Sequence, residues 1–244
     1  MSFANAGLDH DPNPAPRVRF SSIGDGWELF KRAPITWSVT VVFVAVCNGI
    51  ASGIVYRYFG GPELDGLGGV RGLLPPIGLT IGTFVSAAFN GLFLGGMFRM
   101  ACLQIRGESI RFSDFFSVSD VFFELVTGAV LTTLICLIGG MFCLIPGLVA
   151  SGLLMFTLPL IVDGRFTALQ ALQKSYEVLK GEWLMATIFH VAVYALTGLG
   201  VCFFVIGLLF TMPLYTLSIA ILYRDFLMVK GPGISTEKSP DPYF

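Results

Sequence analysis

Four long stretches without a charged residue constrain the fold of this chain more than any other feature. They cover residues 33–56, 72–98, 125–162 and 184–223. A helix of about 20 apolar residues crosses the hydrocarbon core of a bilayer, so the first two stretches each predict one membrane span. Pro76 lies near the start of the second stretch, and we expect the helix to begin after it because proline disrupts a helix interior.

The third and fourth stretches are too long to be single spans. Residues 125–162 would form about 57 Å of helix at 1.5 Å per residue, nearly twice the thickness of the hydrocarbon core. Each stretch must therefore turn back, and its glycine and proline residues mark where the backbone permits a turn. The predicted hairpin turns use Gly140, Pro146, Gly147, Gly207 and Pro213. The resulting count is six spans, and the rival count is four long or re-entrant segments.

The composition indicates a protein surrounded by lipid. Of the 244 residues, 55% are hydrophobic and 13% are charged, which is about half the charged fraction of a soluble domain. Such a chain has too little polar surface to cover a globule in water, so most of its exterior must face lipid. The predicted fold class is an all-α polytopic membrane protein. Its six transmembrane helices form three hairpins, which are accompanied by short cytoplasmic amphipathic helices.

The basic residues predict the orientation of the hairpins. Cytoplasmic loops of membrane proteins carry an excess of Lys and Arg. If the N-terminus is inside, only Arg57 and Arg71 of the 15 Lys and Arg residues fall outside. Both termini are therefore predicted to be cytoplasmic, in the inner membrane of a bacterium. The net charge of −1 gives no reason to expect nucleic acid. The expected partners are the lipid bilayer and other membrane proteins, and the oligomeric state stays open.

Short amphipathic segments are predicted before the hairpins. The first is Ser22–Arg32, with Phe30 on its apolar side, and a shorter one covers residues 113–120. The best formed follows Thr167, which makes a capping-box pattern with Gln170. Helices of this kind are expected to lie flat at the inner leaflet, with aromatic side chains in the interface.

An amphipathic segment followed by a hairpin is predicted to be a repeated unit. Gly140 and Gly147 of the second hairpin match Gly200 and Gly207 of the third at a constant spacing of 60 residues. Three independent hairpins with similar needs at the interface are the alternative. The expected repeat units are residues 22–106, 112–163 and 167–229 of a single membrane domain, 21–229, between disordered cytoplasmic tails at 1–20 and 230–244.

Four polar residues inside or beside the apolar stretches are candidates for a pathway through the membrane. Glu124 directly precedes a long apolar run. An ionised carboxylate in lipid costs about 2.5–3.5 kcal/mol on insertion scales, so it should face protein, water or the interface. Either it handles a proton or cation, or it snorkels or pairs with a basic residue. His190, Asn48 and Asn90 are expected to make hydrogen bonds between helices, or to line a polar path together.

No catalytic residue, metal ligand or cofactor is predicted from the remaining residues. All five cysteines lie within or at the ends of apolar stretches and none forms a C-x-x-C pair, so we interpret them as small apolar side chains. Gly49 with Gly53, and Gly91 with Gly95, form G-x-x-x-G motifs. Because such motifs allow helix backbones to approach closely, we expect them to pack the first hairpin.

Several motifs resemble those of a known group of membrane proteins. They are Gly26-Trp27-Glu28-Leu29-Phe30-Lys31, Ile145-Pro146-Gly147, Pro159-Leu160-Ile161-Val162-Asp163, Ala168-Leu169-Gln170-Ala171-Leu172, Ser175-Tyr176-Glu177-Val178-Leu179-Lys180-Gly181, Pro213 and Tyr223-Arg224-Asp225. Over most of residues 22–228, the chain resembles uncharacterised bacterial six-helix membrane proteins and the membrane domain fused to some glycerophosphodiester phosphodiesterases. The catalytic domain of those phosphodiesterases is soluble and nothing here corresponds to it. The resemblance therefore implies a membrane module without enzymatic residues.

Two functions follow as hypotheses. The first is a non-enzymatic scaffold, lipid-interacting or accessory module of the bacterial inner membrane. The second is a small-solute or ion transporter or channel that uses Glu124, His190, Asn48 and Asn90. A membrane-embedded enzyme is a distant third, because such enzymes need clustered His, Asp or Glu residues near the membrane surface. Convergence of the four polar side chains on one cavity would favour transport.

Overall fold

Helices make up nearly all of the structure. The computed structural model describes residues 17–59, 77–202 and 204–227, and within these ranges it contains no β-strand. The α-helices in these ranges are α1 (Ser21–Arg32), α2 (Pro34–Phe59), α3 (Ile77–Ile105), α4 (Phe122–Phe142), α5 (Leu144–Leu153), α6 (Thr157–Gly164), α7 (Ala168–Leu179), α8 (Trp183–Cys202) and α9 (Phe204–Leu227). Six segments are long and apolar enough to cross a membrane. The predicted all-α, six-span fold is therefore confirmed.

The helices pair as three hairpins. The first consists of α2 and α3, the second of α4 with α5 and α6, and the third of α8 and α9. α1 precedes the first hairpin and α7 precedes the third, where the predicted capping box of Thr167 and Gln170 is confirmed.

The segment before the second hairpin differs from the expected amphipathic α-helix. It forms two 3₁₀ segments, Phe112–Phe116 and Ser119–Val121. Asp114 accepts a hydrogen bond from the Arg111 N–H at 2.7 Å, and the Ser117 hydroxyl donates to the Asp114 carbonyl at 2.7 Å. Such local side-chain bonds compete with the α-helical pattern.

The turn of the second hairpin is a single residue, and each of the two helices that it joins has a glycine within four residues of it. Cys143, in an extended conformation (φ −170°, ψ 154°), separates α4 from α5. A Cβ atom on Gly147 would lie 2.9 Å from the Gly140 nitrogen, so only glycine lets the two helices cross this closely. Pro146 lies in the first turn of α5, where its missing N–H leaves no helical bond unmade.

The third hairpin uses one of its two predicted turn residues as expected and the other differently. A Cβ atom on Gly207 would meet the carbonyl oxygen of Gly200, so these glycines cross as Gly140 and Gly147 do. The prediction for Pro213 is wrong, because this residue lies well inside α9. Transmembrane helices tolerate an internal proline because neighbouring groups satisfy the freed carbonyl.

The returning helix of the second hairpin is broken between α5 and α6. Ser175 of α7 spans the break: its hydroxyl donates to the Leu153 carbonyl at 2.7 Å and accepts from the Phe156 N–H at 3.2 Å. Both backbone groups would otherwise be buried without a partner. Ser175 belongs to one of the motifs that carry the family resemblance, and here its role is structural.

α1 packs along α9. Arg19, just before α1, pairs with Asp225 at 2.5 Å, whereas the Phe30 ring contacts the Phe210 ring at 5.7 Å between centroids. Phe210 and Asp225 are 15 residues apart in α9, which is about 22 Å of helix. α1 therefore runs roughly antiparallel to α9. α9 covers the apolar side of α1, and the flat placement of α1 at the inner leaflet stays a prediction.

The chain is already ordered before α1. Val18 is buried and its N–H donates to the Glu182 carboxylate at 2.7 Å, and the Phe20 ring lies 5.7 Å from the Phe189 ring. The predicted tail boundary at residue 20 is therefore wrong for residues 17–20. The remainder of both predicted tails, 1–16 and 230–244, lies outside the described residues.

The three hairpins close into a ring. We call the contact between the outgoing helix of one hairpin and the incoming helix of the next a seam. α3 packs on α4, α5 packs on α8, and α9 packs on α2. The preceding segments keep the same order, because α1 packs on α9, Phe112–Phe116 packs on α3, and α7 packs on α6. A threefold repeat would produce this arrangement, and the repeat itself stays a prediction.

The two ends of the ring differ in charge. Ion pairs join Arg106 to Asp163 and Arg19 to Asp225 at the end where α3, α6 and α9 finish. We call this the charged end. The opposite end, where α4 meets α5 and α8 approaches α9, is the tip end.

Candidate functional site

Two of the predicted polar residues bond to each other across the first hairpin. Asn48 of α2 donates from Nδ2 to Oδ1 of Asn90 of α3 at 2.9 Å, and Asn90 donates from Nδ2 to the Ser86 carbonyl at 2.9 Å. The prediction that these amides bridge helices is confirmed. No described residue bonds to Oδ1 of Asn48, so this oxygen keeps its capacity to accept a hydrogen bond from a ligand.

A cavity of about 420 Å³ lies beside this asparagine pair, between the first and third hairpins. Its walls come from α2, α3, α8 and α9. They consist of Val44, Asn48, Asn90, Phe93, Leu94, Met97, Tyr194, Thr197, Gly198, Leu208, Met212 and Tyr215. This volume is typical of a small-molecule site. Apolar side chains alternate with two amides, two phenols and one hydroxyl, and none of these described lining residues carries a charge.

The cavity lies near the middle of the membrane-spanning helices. Asn90 is 15 residues from the end of α3, which corresponds to about 22 Å from the charged end. The next layer toward that end consists of Trp37, Met100, Phe189 and Leu217, all 0% exposed. On their helices, these residues lie between the lining residues and the charged end, and they belong to one buried core.

The polar groups of this layer are paired. The Trp37 indole donates to Oε1 of Gln104 at 2.8 Å, and Nε2 of Gln104 donates to the Leu29 carbonyl at 2.7 Å. These bonds connect α1, α2 and α3. Because buried polar groups are costly to unpair, the bonds stabilise the layer as a fixed seal.

His190 lies behind one wall of the cavity. Its ring centroid is 6.2 Å from that of Tyr194 and 6.1 Å from that of Tyr215, and both tyrosines line the cavity. Nδ1 of His190 is buried and has no hydrogen-bond partner among the described residues. Aromatic packing thus takes the place of the expected interhelical hydrogen bond in this part of the structure.

Glu124 lies away from the cavity, at the charged end. Its Oε2 accepts a hydrogen bond from the Ala168 N–H at 2.6 Å. Ala168 is the first residue of α7, so the carboxylate meets the unpaired N–H groups and the positive end of that helix. The expected partner was a basic side chain, and the actual partner is backbone. Two of the four predicted polar residues, Asn48 and Asn90, therefore line one cavity. His190 packs behind its wall, and Glu124 joins α4 to α7.

The glycine motifs serve a different contact from the predicted one. A Cβ atom on Gly95 would lie 2.7 Å from Cδ1 of Leu125, and Gly91 also faces α4. Gly49 and Gly53 are exposed, and a Cβ atom on either would meet no described atom within 4 Å. The prediction that both motifs pack the first hairpin is wrong. α3 directs its glycines to the second hairpin, and the α2 glycines face open space.

The third hairpin supplies lining residues that the sequence reasoning missed. Tyr194 and Thr197 follow His190 by four and seven residues, which places all three on one side of α8. Met212 and Tyr215 are three residues apart, which likewise places them on one side of α9. This spacing was the available signal, but it does not tell which side of a helix faces the ring interior.

Residues of the resemblance motifs hold the charged end together. Asp163 pairs with Arg106 and accepts a hydrogen bond from the Tyr223 hydroxyl at 3.2 Å. Asp225 pairs with Arg19 and with its neighbour Arg224. These motifs therefore connect α3, α6 and α9, and they do not line the cavity.

The fold and the cavity define a multi-pass integral membrane protein built from three helical hairpins. No protein-family model matches the chain, and neither a curated protein nor a solved structure is significantly similar to it. The resemblance to bacterial six-helix membrane proteins therefore stays a prediction. Within the described ranges, no group of three or more His, Cys, Asp or Glu side chains is placed to hold a metal ion.

Proposed function

We propose that this protein is a non-enzymatic membrane module that holds an uncharged amphipathic molecule between its first and third hairpins. One observation carries the proposal: the 420 Å³ cavity combines apolar walls with neutral hydrogen-bonding groups. This is the lipid-interacting form of a scaffold or accessory role. The amides of Asn48 and Asn90 and the hydroxyl of Tyr215 would orient the polar part of the ligand.

The chemistry of the lining favours an uncharged ligand over an ion. A charged solute loses its hydration on moving to the middle of a membrane, and only opposite charges or many polar ligands compensate for that loss. The described lining offers neither. A molecule with an apolar body and one hydroxyl or carbonyl group matches the walls without this cost.

Transport of a small solute is the second candidate. The presence of Asn48 and Asn90 in the lining, with His190 packed behind it, supports this candidate. A continuous path would also have to pass the layer of Trp37 and Met100, both 0% exposed. Such a protein would need a second conformation, whereas a binding module works with the observed one.

Native mass spectrometry of the purified protein tests the proposal. We expect the wild-type protein to retain one bound amphipathic molecule, and the double variant Asn48→Leu/Asn90→Leu to lose most of it. Thr132→Val, a polar-to-apolar change in α4 outside the lining, is the matched control and should keep the molecule. Wild-type protein without any bound molecule would contradict the proposal. Ion flux into vesicles containing the protein, above that of protein-free vesicles, would favour the channel.

We also propose that the charged end faces the cytoplasm of a bacterial inner membrane. The support is the distribution of Lys and Arg: of those in the described ranges, only Arg57, in the last turn of α2, belongs to the tip end. Glu108→Cys and Arg57→Cys place thiols at exposed positions of the two ends. Because Cys143 is exposed at the tip end, both variants are made in a background whose native cysteines are replaced by serine. An impermeant maleimide added to intact cells should then label the Arg57 variant alone, and the Glu108 variant only after permeabilisation. The reverse pattern would invert the orientation.

A further inference from the structure

Two seams of the ring are closed by glycine. In the α5–α8 seam, a Cβ atom on Gly152 would lie 2.6 Å from Cα of Thr187, so the two backbones are in direct contact. In the α3–α4 seam, a Cβ atom on Gly95 would lie 2.7 Å from the Leu125 side chain. Small residues at these points allow close helix packing in a bilayer, where the hydrophobic effect does not drive helices together.

The α9–α2 seam has a methionine at the corresponding position. The spacing of 60 that relates Gly140 and Gly147 to Gly200 and Gly207 also relates Gly152 to Met212. Met212 lines the cavity. A long side chain therefore stands beside the cavity at the position that corresponds to Gly152.

The cavity is open at α8, because two of its lining residues on this helix are exposed. Tyr194 lines the cavity although it is 68% exposed. Gly198, one turn further along, also lines the cavity and is exposed, and a Cβ atom on it would meet no described atom within 4 Å. The same residues thus belong to the cavity wall and to the surface that faces lipid.

We infer that the cavity takes up an uncharged lipid, bearing a hydroxyl or carbonyl group, which passes sideways from the bilayer past Tyr194 and Gly198 of α8. The inference rests on the proposed function and names the ligand class and its route. A charged headgroup stays at the membrane surface, whereas a neutral lipid reaches the depth of Asn48 and Tyr215. The seal of Trp37, Met100 and their neighbours closes the route from the charged end.

Photolabelling in vesicles tests the route. The probe is a diacylglycerol with a photoactivatable acyl chain, and the control probe is phosphatidylcholine with the same chain. Met97 lines the cavity and is 0% exposed, so a label on it reports a chain inside. We expect diacylglycerol to label Met97 several-fold more than phosphatidylcholine does. Gly198→Leu should reduce this labelling several-fold. Ala195→Leu, on the exposed side of α8 outside the lining, should leave it unchanged.

The outcomes separate the two proposals. Absence of label from the whole lining in the wild-type protein, together with the loss of a bound molecule in mass spectrometry, would overturn the proposed function itself. Equal labelling of Met97 in both leucine variants would overturn the lateral route and leave binding intact. Equal labelling by both probes would overturn the uncharged class. If Gly198→Leu does not fold, Tyr194→Ala serves instead, because a wider opening should raise the labelling of Met97.

Discussion

The α5–α8 seam and the α9–α2 seam join corresponding helices of successive hairpins, yet one is closed and the other holds a cavity. Gly152 meets the backbone of Thr187 in the first, and Met212 stands beside a void in the second. Between membrane helices, close contact depends on shape because lipid is as apolar as the side chains. One long side chain at a contact point is therefore enough to leave space, and neutral polar residues around that space make it a binding site.

The largest effect is expected from adding a side chain to the closed seam. Gly152→Leu must displace the main chain of Thr187, because even a Cβ atom would lie 2.6 Å from its Cα. We expect loss of folded protein, measured as the disappearance of the monodisperse peak in size-exclusion chromatography. Gly198→Leu makes the same change at a position with open space and should elute normally. If both variants behaved alike, the contrast between the seams would be wrong.

A smaller contrast is expected between two methionines, one in the closely packed layer and one in the cavity lining. Met100→Ala, in the closely packed layer, should lower the free energy of unfolding by about 2–5 kcal/mol, the usual cost of a new core cavity. Met212→Ala only enlarges an existing void, so its cost should fall at or below the lower end of that range. Denaturation by SDS in mixed micelles measures both. A greater loss for Met212→Ala would show that its side chain supports the seam instead of holding it open.

The smallest effect concerns the polar contact inside the first hairpin. The bond between Asn48 and Asn90 is 2.9 Å long. Hydrogen bonds between membrane helices contribute about 0.6 kcal/mol on average and up to about 1.7 kcal/mol. A double-mutant cycle with Asn48→Ala and Asn90→Ala should therefore give a coupling energy in this range. A coupling energy of zero would mean that these amides face the ligand and contribute nothing to the packing of α2 on α3.

The spans were predictable because a helix that crosses a membrane needs a long run of residues without charge. The turn at Cys143 also lies within the predicted glycine-rich segment, because only bare backbone lets α4 and α5 cross there. The capping box of Thr167 and Gln170 is local in sequence, so the pattern alone was enough to identify it.

Contacts between distant segments were not predictable in the same way. The capping of α7 by Glu124 and the docking of α1 along α9 depend on how the hairpins are arranged around the ring. The cavity depends on the rotation of four helices about their axes. An apolar helix in lipid shows little difference between its sides, so the sequence of α8 did not indicate that Tyr194 lines a cavity. The glycines of α3 were assigned to the wrong neighbour for the same reason.

The docking of α1 on α9 also orders the events of biogenesis. A ribosome delivers these helices one after another, and domains of nascent chains assemble in the order of synthesis. The α3–α4 and α5–α8 seams join neighbours in the chain, so each can form as soon as its second helix is inserted. The α9–α2 seam and the α1–α9 contact join the first described helices to the last one. Until α9 leaves the insertion machinery, Phe30 and the apolar side of α1 remain uncovered. An unfinished chain therefore exposes a hydrophobic surface that α9 buries in the completed ring.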